Sequence, residues 1–249
     1  MKSTIPEAGV PIAPSTTDNG ADRQEASLHG EILLRLRDHV VEGNIPEGAR
    51  VPERQLCEML GISRTPLREA LKVLAAEGLI ELLPNRGARV RQLSERDLEE
   101  LFDVMAGLES LAGRLACEAI TDEEIAAVER LHYEMYGYYL NSDMHGYFGV
   151  NQRIHESIVA AARNETLRAA YASFAGRIRR VRYSANFARK RQRWAEAMRE
   201  HEAILDALRR RAGSELADIL FQHLRNKRTA AIEHLATAKD ANPATAAGA

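Results

Sequence analysis

Three histidines fall where apolar residues are expected, and imidazole nitrogen is a common ligand for divalent metals. His155 lies four residues after Asn151, on the helix side that also carries Phe148, Ile158 and Ala162, so the amide and the imidazole point inward together. His201 interrupts the stripe Trp194, Met198, Leu205, Leu208, and His223 follows Leu216, Ile219 and Leu220. A lone inward histidine is ordinarily a core residue satisfied by a neighbour. Three of them on three helices open a second reading, in which the helices converge on one ion. Earlier in the chain the chemistry is different. Between Arg50 and Arg91, eight basic residues (Arg50, Arg54, Arg64, Arg68, Lys72, Arg86, Arg89, Arg91) face five acidic ones (Glu53, Glu58, Glu69, Glu77, Glu81), a local excess of three. Arg64 and Arg68 project from one side of a helix whose other side is rich in leucine, where guanidinium groups can make paired contacts with guanine edges. Ser63 and Thr65, at that helix start, can donate to phosphates. Arg86 beside Gly87 puts a cation at a turn tip whose backbone can approach closely, which suits a minor groove.

The elements that position these residues follow from punctuation and periodicity. Seven prolines precede residue 85 and the next is Pro243, leaving a long stretch in which helices need not break. Four zones result: an unstructured extension over 1–27, a compact domain over 28–93, a helical domain over 94–236 and an unstructured tail over 237–249. In the compact domain Leu28, Ile32, Leu36 and Val40 recur every four residues and Gly43 follows as a C-cap. Pro52 opens a short second helix with Leu56, Met59 and Leu60 as its apolar face, and Gly61 stops it. Ser63 caps a third, running to about Glu77, with Leu67, Leu71, Val73 and Leu74 inward. Leu79–Leu83 and Ala88–Arg91 then read as two strands around Pro84-Asn85-Arg86-Gly87. Two helices joined by a tight glycine turn and followed by a hairpin make a winged helix-turn-helix.

In the helical domain, Ser94-Glu95-Arg96-Asp97 has capping-box spacing and opens a helix lined by Leu98, Leu101, Met105, Leu108, Leu111 and Leu115. Thr121 opens another, lined by Ile125, Val128, Leu131 and Met135, and further segments at about 143–162, 165–187, 189–211 and 214–236 complete an antiparallel bundle. The fold class expected is mainly α, with a small β-hairpin wing. The tyrosines Tyr133, Tyr136, Tyr138, Tyr139 and Tyr147 read as packing residues rather than a pocket lining, and Arg177, Arg179, Arg180 and Arg182 as a solvated face.

Composition narrows the field. With 249 residues, 45% apolar and 28% charged, and 34 Lys and Arg against 36 Asp and Glu, the chain is an ordinary globular protein whose near-neutral total hides the basic patch. No apolar run reaches a membrane span, so a membrane partner is not expected. Only Cys57 and Cys117 are present, which suits a reducing cytoplasm and excludes a cysteine-rich zinc site. A metal-dependent enzyme is the rival class, since an open three-histidine site can activate water. Neither His155-Glu156 nor His201-Glu202 is followed by a second histidine at zinc-protease spacing, and no phosphate loop, nucleophile elbow or dinucleotide fingerprint occurs, so no enzyme is expected.

The stretch from Val51 through Arg54, Gly61-Ile62-Ser63-Arg64-Thr65-Pro66-Leu67-Arg68 and Glu77-Gly78-Leu79-Ile80 to Pro84-Asn85-Arg86-Gly87 resembles the winged helix-turn-helix of GntR-family transcriptional regulators. The resemblance implies that Arg54, Arg64, Thr65 and Arg68 contact a double-stranded operator and that Gly87 marks the wing tip. Val51-Pro52 departs from it, standing where a hydroxyl cap is common. Asn151-x3-His155, Glu200-His201 and His223 resemble the ligand domain of the FadR-type branch, the FCD domain, over about residues 94–236. In that branch many members hold a divalent metal through one Asp and three His, and the metal or a metal-bound carboxylate metabolite is the effector. Carried onto this chain, the ligands are Asn151, His155, His201 and His223. The ion would be Zn, Ni, Mn or Fe, and an organic acid the small-molecule effector. Asn151 removes a negative charge although its carbonyl can still ligate, and Met105 stands where an arginine is frequent. The expected protein is therefore a cytoplasmic homodimeric regulator, a repressor, acting on a short inverted repeat. A DNA-binding dimer that senses nothing is the other alternative.

Overall fold

The computed structural model of the protein describes residues 19–187 and 192–241. Its elements are α1 (Asn19–Val41), α2 (Glu53–Leu60), α3 (Arg64–Ala76), β1 (Ile80–Leu83), β2 (Gly87–Val90), α4 (Glu95–Ala119), α5 (Asp122–Leu140), α6 (Met144–Ala161), α7 (Glu165–Phe187), α8 (Gln192–Arg209) and α9 (Gly213–Ala241). The unstructured ends expected over 1–27 and 237–249 fall largely outside the described residues. Within those residues α1 begins at Asn19, in a stretch with no proline after Pro14 to break it, and α9 continues to Ala241.

Around α1–α3 and the hairpin, one core collects Ile32, Leu36, Val40, Leu56, Leu67, Leu71, Leu74, Leu79, Ala88 and Val90. Burying each large aliphatic chain is worth about 1.5–3 kcal/mol, and the leucines of α3 supply three of them. Val73 and Met59, expected inward, are exposed, because their helical angles lie past the edge of the stripe and Ala70 faces α1 instead. Gly61 ends α2 in the left-handed conformation at φ 68°, and its N–H reaches the Cys57 carbonyl. The hairpin pairs Ile80 with Val90 and Leu83 with Gly87, which sends Ala88 and Val90 into the core and leaves Pro84, Asn85 and Arg86 at the tip.

The remaining helices form the bundle. Ser94 and Asp97 satisfy each other's backbone at the start of α4, so the expected box forms, and Thr121 and Glu124 make a second one at the start of α5. α4 and α9 run antiparallel in close contact: a side chain on Gly113 would meet Leu220 at 2.6 Å and Leu216 at 3.0 Å. Leu98, Leu101 and Met105 are buried as expected and Leu108 and Leu115 are partly buried, but Leu111 is exposed. Ala112, Gly113 and Ala116 are buried instead, where only small residues fit between the two backbones, and Glu109 is buried as well.

Candidate nucleic-acid interface and metal centre

The N-terminal turn of α3 stands free of the core. Ser63, Arg64, Thr65 and Arg68 are all exposed, and the leucine stripe of α3 on its far side fixes their direction. Ser63 has the extended backbone of an N-cap, yet its hydroxyl makes no capping hydrogen bond, so it is left for a ligand rather than spent on the helix. Pro52 likewise offers no side-chain cap to α2. Arg54 is solvent-exposed beside Glu58, and Arg68 lies 3.5 Å from Glu53. Glu53 also faces the wing: a side chain on Gly87, whose φ is 78°, would approach Glu53 Oε1 to 2.9 Å. One carboxylate therefore lies between α3 and the wing, and the positive φ at position 87 favours glycine, with the Glu53 carboxylate having to shift for any side chain there. Arg86 is exposed at the tip, with its N–H bonded to the Leu83 carbonyl. All seven residues expected to meet DNA lie on the outside of one small domain. They are presented by the start of α2, the start of α3 and the hairpin tip.

Inside the bundle, α6, α8 and α9 bring His155, His201 and His223 together, each 1% exposed. One ligand nitrogen from each lies within 4.8 Å of the others. Asn151, one turn before His155, puts its amide 2.6 Å from His201 Nε2. The four residues read from the sequence thus meet at one buried point. Burial, reinforced by His223, His155 and Lys227, holds the His201 imidazole well below its usual range, so it is neutral and its lone pair is available to a cation. Among the described residues His155 Nε2 and His201 Nδ1 are buried without a hydrogen-bond partner, a costly arrangement that an ion would relieve. The donor set of three imidazoles and an amide fits a divalent transition metal.

Two carboxylates back this cluster. Glu200 Oε2 lies 2.7 Å from His223 Nδ1, and its other oxygen accepts from Asn226 at 2.6 Å. Glu109, itself buried, places Oε2 2.8 Å from His155 Nδ1. Glu109 is not among the residues the sequence marks for this site, although its spacing from Met105 and Ala112 puts it on the inward face of α4. Tyr147 is core, stacked on Trp194 with centroids 5.2 Å apart, whereas Tyr133 and Tyr136 are exposed.

The arginine run on α7 is not the solvated face expected of it. Arg179 pairs with Asp38 at 2.6 Å, and Arg180, buried, donates to the Val40 carbonyl at 2.9 Å. The end of α1 docks there, and Leu79 packs on Gly176, so the neighbouring domain removes these side chains from water. The side chain of Arg182 lies outside the described residues.

Comparison with known families settles the lineage. The model of bacterial regulatory proteins of the gntR family matches residues 28–90, and the FCD domain model matches residues 100–226. The chain belongs to the GntR family. Relatives of this GntR protein include one named "Probable D-xylose utilization operon transcriptional repressor" from Paenarthrobacter nicotinovorans. It is 36% identical over 143 residues, which is 55% of this chain and 62% of that relative's length. A transcriptional regulator of the helix-turn-helix type from Agrobacterium vitis is 30% identical over 167 residues, 65% of this chain and 95% of its own. Among solved structures, E. coli McbR/YncC shares the fold with a TM-score of 0.77 at 22% identity, covering 84% of this chain and 98% of that one. The family is one of bacterial regulatory proteins, and these relatives are named as transcriptional regulators. No described helix is long and apolar enough to cross a membrane.

Proposed function

We propose that this GntR regulator is a homodimeric repressor whose FCD domain holds a divalent metal at Asn151, His155, His201 and His223 and uses it to sense a small organic acid. The observation that carries this reading is the convergence of three fully buried, mutually close imidazoles with the Asn151 amide inside the bundle. A bound ion supplies a positive centre to which an acid can attach. Lys227, one helical turn beyond His223 and near enough to disfavour protonation of His201, adds a cation on the same side where Met105 offers none. On the outer surface, Arg64 and Arg68 enter a major groove, Ser63 and Thr65 hold phosphates, Arg54 meets the DNA backbone from the start of α2, and Arg86 with Gly87 reaches the adjacent minor groove. Two such domains, related by the dimer axis, fit the half-sites of a short inverted repeat. α7 connects the two functions, because it packs in the bundle and also grips the end of α1 through Arg179 and Arg180.

The test selects an operator from random duplexes and measures its affinity for protein stripped by chelator, for metal-loaded protein, and for metal-loaded protein with candidate dicarboxylates and sugar acids. A coupling of ordinary size changes affinity by about 5- to 150-fold. An operator affinity identical in all states contradicts the sensor reading and leaves a DNA-binding dimer without an effector.

A further inference from the structure

We infer that Glu109 and Glu200 are positioning residues for the metal centre: they hold His155 and His223 as Nδ1–H tautomers, committing both Nε2 atoms to the ion, and Glu109 restores inside the bundle the negative charge that Asn151 does not provide. The inference rests on the metal reading above and goes beyond it, because neither carboxylate belongs to the ligand set.

The two contacts are alike in kind. Each joins a carboxylate oxygen to Nδ1 of a buried ring, at 2.8 Å for Glu109 with His155 and 2.7 Å for Glu200 with His223. They come from different helices, α4 and α8, so two independent elements aim at the same side of two separate imidazoles. Glu200 makes an aligned hydrogen bond to His223, and Asn226 holds its other oxygen. Glu109 Oε2 stands at the same kind of distance from His155 Nδ1, on a residue of α4 that is itself buried. A proton shared with a carboxylate at Nδ1 makes the opposite nitrogen a lone-pair donor and raises its basicity, which is what a metal ligand needs. His201 differs. Its Nδ1 has no carboxylate, and its Nε2 meets Asn151 instead, so its orientation is set by an amide.

Charge gives the second half of the inference. With an amide at 151 the direct ligands are all neutral, and a divalent ion among them would carry its full charge into the bundle core, which is costly without a nearby anion. Glu109 is only 1% exposed and 2.8 Å from His155 Nδ1, so a negative charge on it lies one imidazole away from the ion.

The test uses the full-length protein, freed of metal and titrated with Co(II), whose visible absorption reports both affinity and coordination geometry. Glu109→Gln keeps the side-chain shape and removes the charge; it should weaken Co(II) binding about 10- to 100-fold and alter the band, with the thermal midpoint of the apo protein little changed. Glu200→Gln should act in the same direction, and Asn151→Asp in the Glu109→Gln background should recover most of the loss. Unchanged affinity and spectrum in both glutamine variants overturn the positioning role, and a loss that Asn151→Asp leaves unrepaired overturns the charge role. If the unmodified protein takes up no cobalt, the metal reading fails. The positioning claim then stands or falls on long-range imidazole 15N spectra of the apo protein: it requires Nδ1–H signals for His155 and His223 that are lost in the respective glutamine variants, and tautomers unaffected by either substitution overturn it.

Discussion

The guanidinium of Arg180, on α7 of the bundle, donates to the main-chain carbonyl of Val40 at the end of α1, 2.9 Å away and out of contact with water. Val40 belongs to the core of the DNA-binding domain, so a bundle side chain completes the C-terminus of that domain's first helix. A cation is well placed there, against the negative end of the helix dipole. Burial lowers the Arg180 guanidinium from its ordinary value, and Glu47, 3.6 Å from Nε, opposes that shift.

Replacing Arg180 by methionine keeps much of the packing and removes the donor. The Val40 carbonyl loses a charged hydrogen bond, so docking of the two domains should weaken by about 1.5–3 kcal/mol. Differential scanning calorimetry is expected to resolve the single transition into two, the DNA-binding domain unfolding first. A variant that melts as one unit at the unmodified temperature rules out a coupling role for this contact.

Arg64 is exposed at the first position of α3, one and two turns ahead of the buried Leu67 and Leu71, so its substitution leaves the core intact. Arg64→Ala is expected to cost about 1–3 kcal/mol at its base pair and to relax discrimination there, while Arg54→Ala lowers affinity nearly uniformly and reduces the salt dependence. Titrations against operators with single base changes distinguish the two; unaltered discrimination by Arg64→Ala removes its base-reading role.

The cap of α4 gives a dependence on pH. Asp97 accepts from the Ser94 side chain and, next in weight, from its backbone N–H, with Arg91 adding to these; together they hold the carboxyl below its ordinary 3.8. Because the folded value lies below the unfolded one, this contribution is complete above about pH 3.8 and is lost as the pH falls through the folded value. Ser94→Ala should therefore cost about 0.5–2 kcal/mol at neutral pH, and the difference from the unmodified protein should close in more acid solution. Denaturant titrations at a series of pH values check this, and a gap that does not depend on pH contradicts it.

What could be read from the sequence tracks what is local. The order helix, helix, tight turn, helix, hairpin follows from Gly43, Gly61, Gly78 and Pro84 with short-range periodicity. The inward direction of Asn151, His155, His201 and His223 follows because a polar residue in an apolar stripe is conspicuous on its own helix. What escaped depends on how helices lie on one another. Glu109 was hidden because α4 turns its small residues, not its leucines, toward α9, a choice made by the 2.6 Å clearance at Gly113. The arginines of α7 looked solvated because nothing within their own helix shows that the end of α1 covers them.

The most direct test of the histidine centre is native mass spectrometry with elemental analysis, on the unmodified protein and on His155→Ala, after resupply of Zn, Ni, Mn and Fe. The predicted result is a dimer carrying a single divalent ion in each subunit, with the ion absent from His155→Ala and its operator binding retained in the metal-free state. Metal-free dimers of the unmodified protein after resupply would contradict the centre and leave His155, His201 and His223 as polar residues of the bundle core.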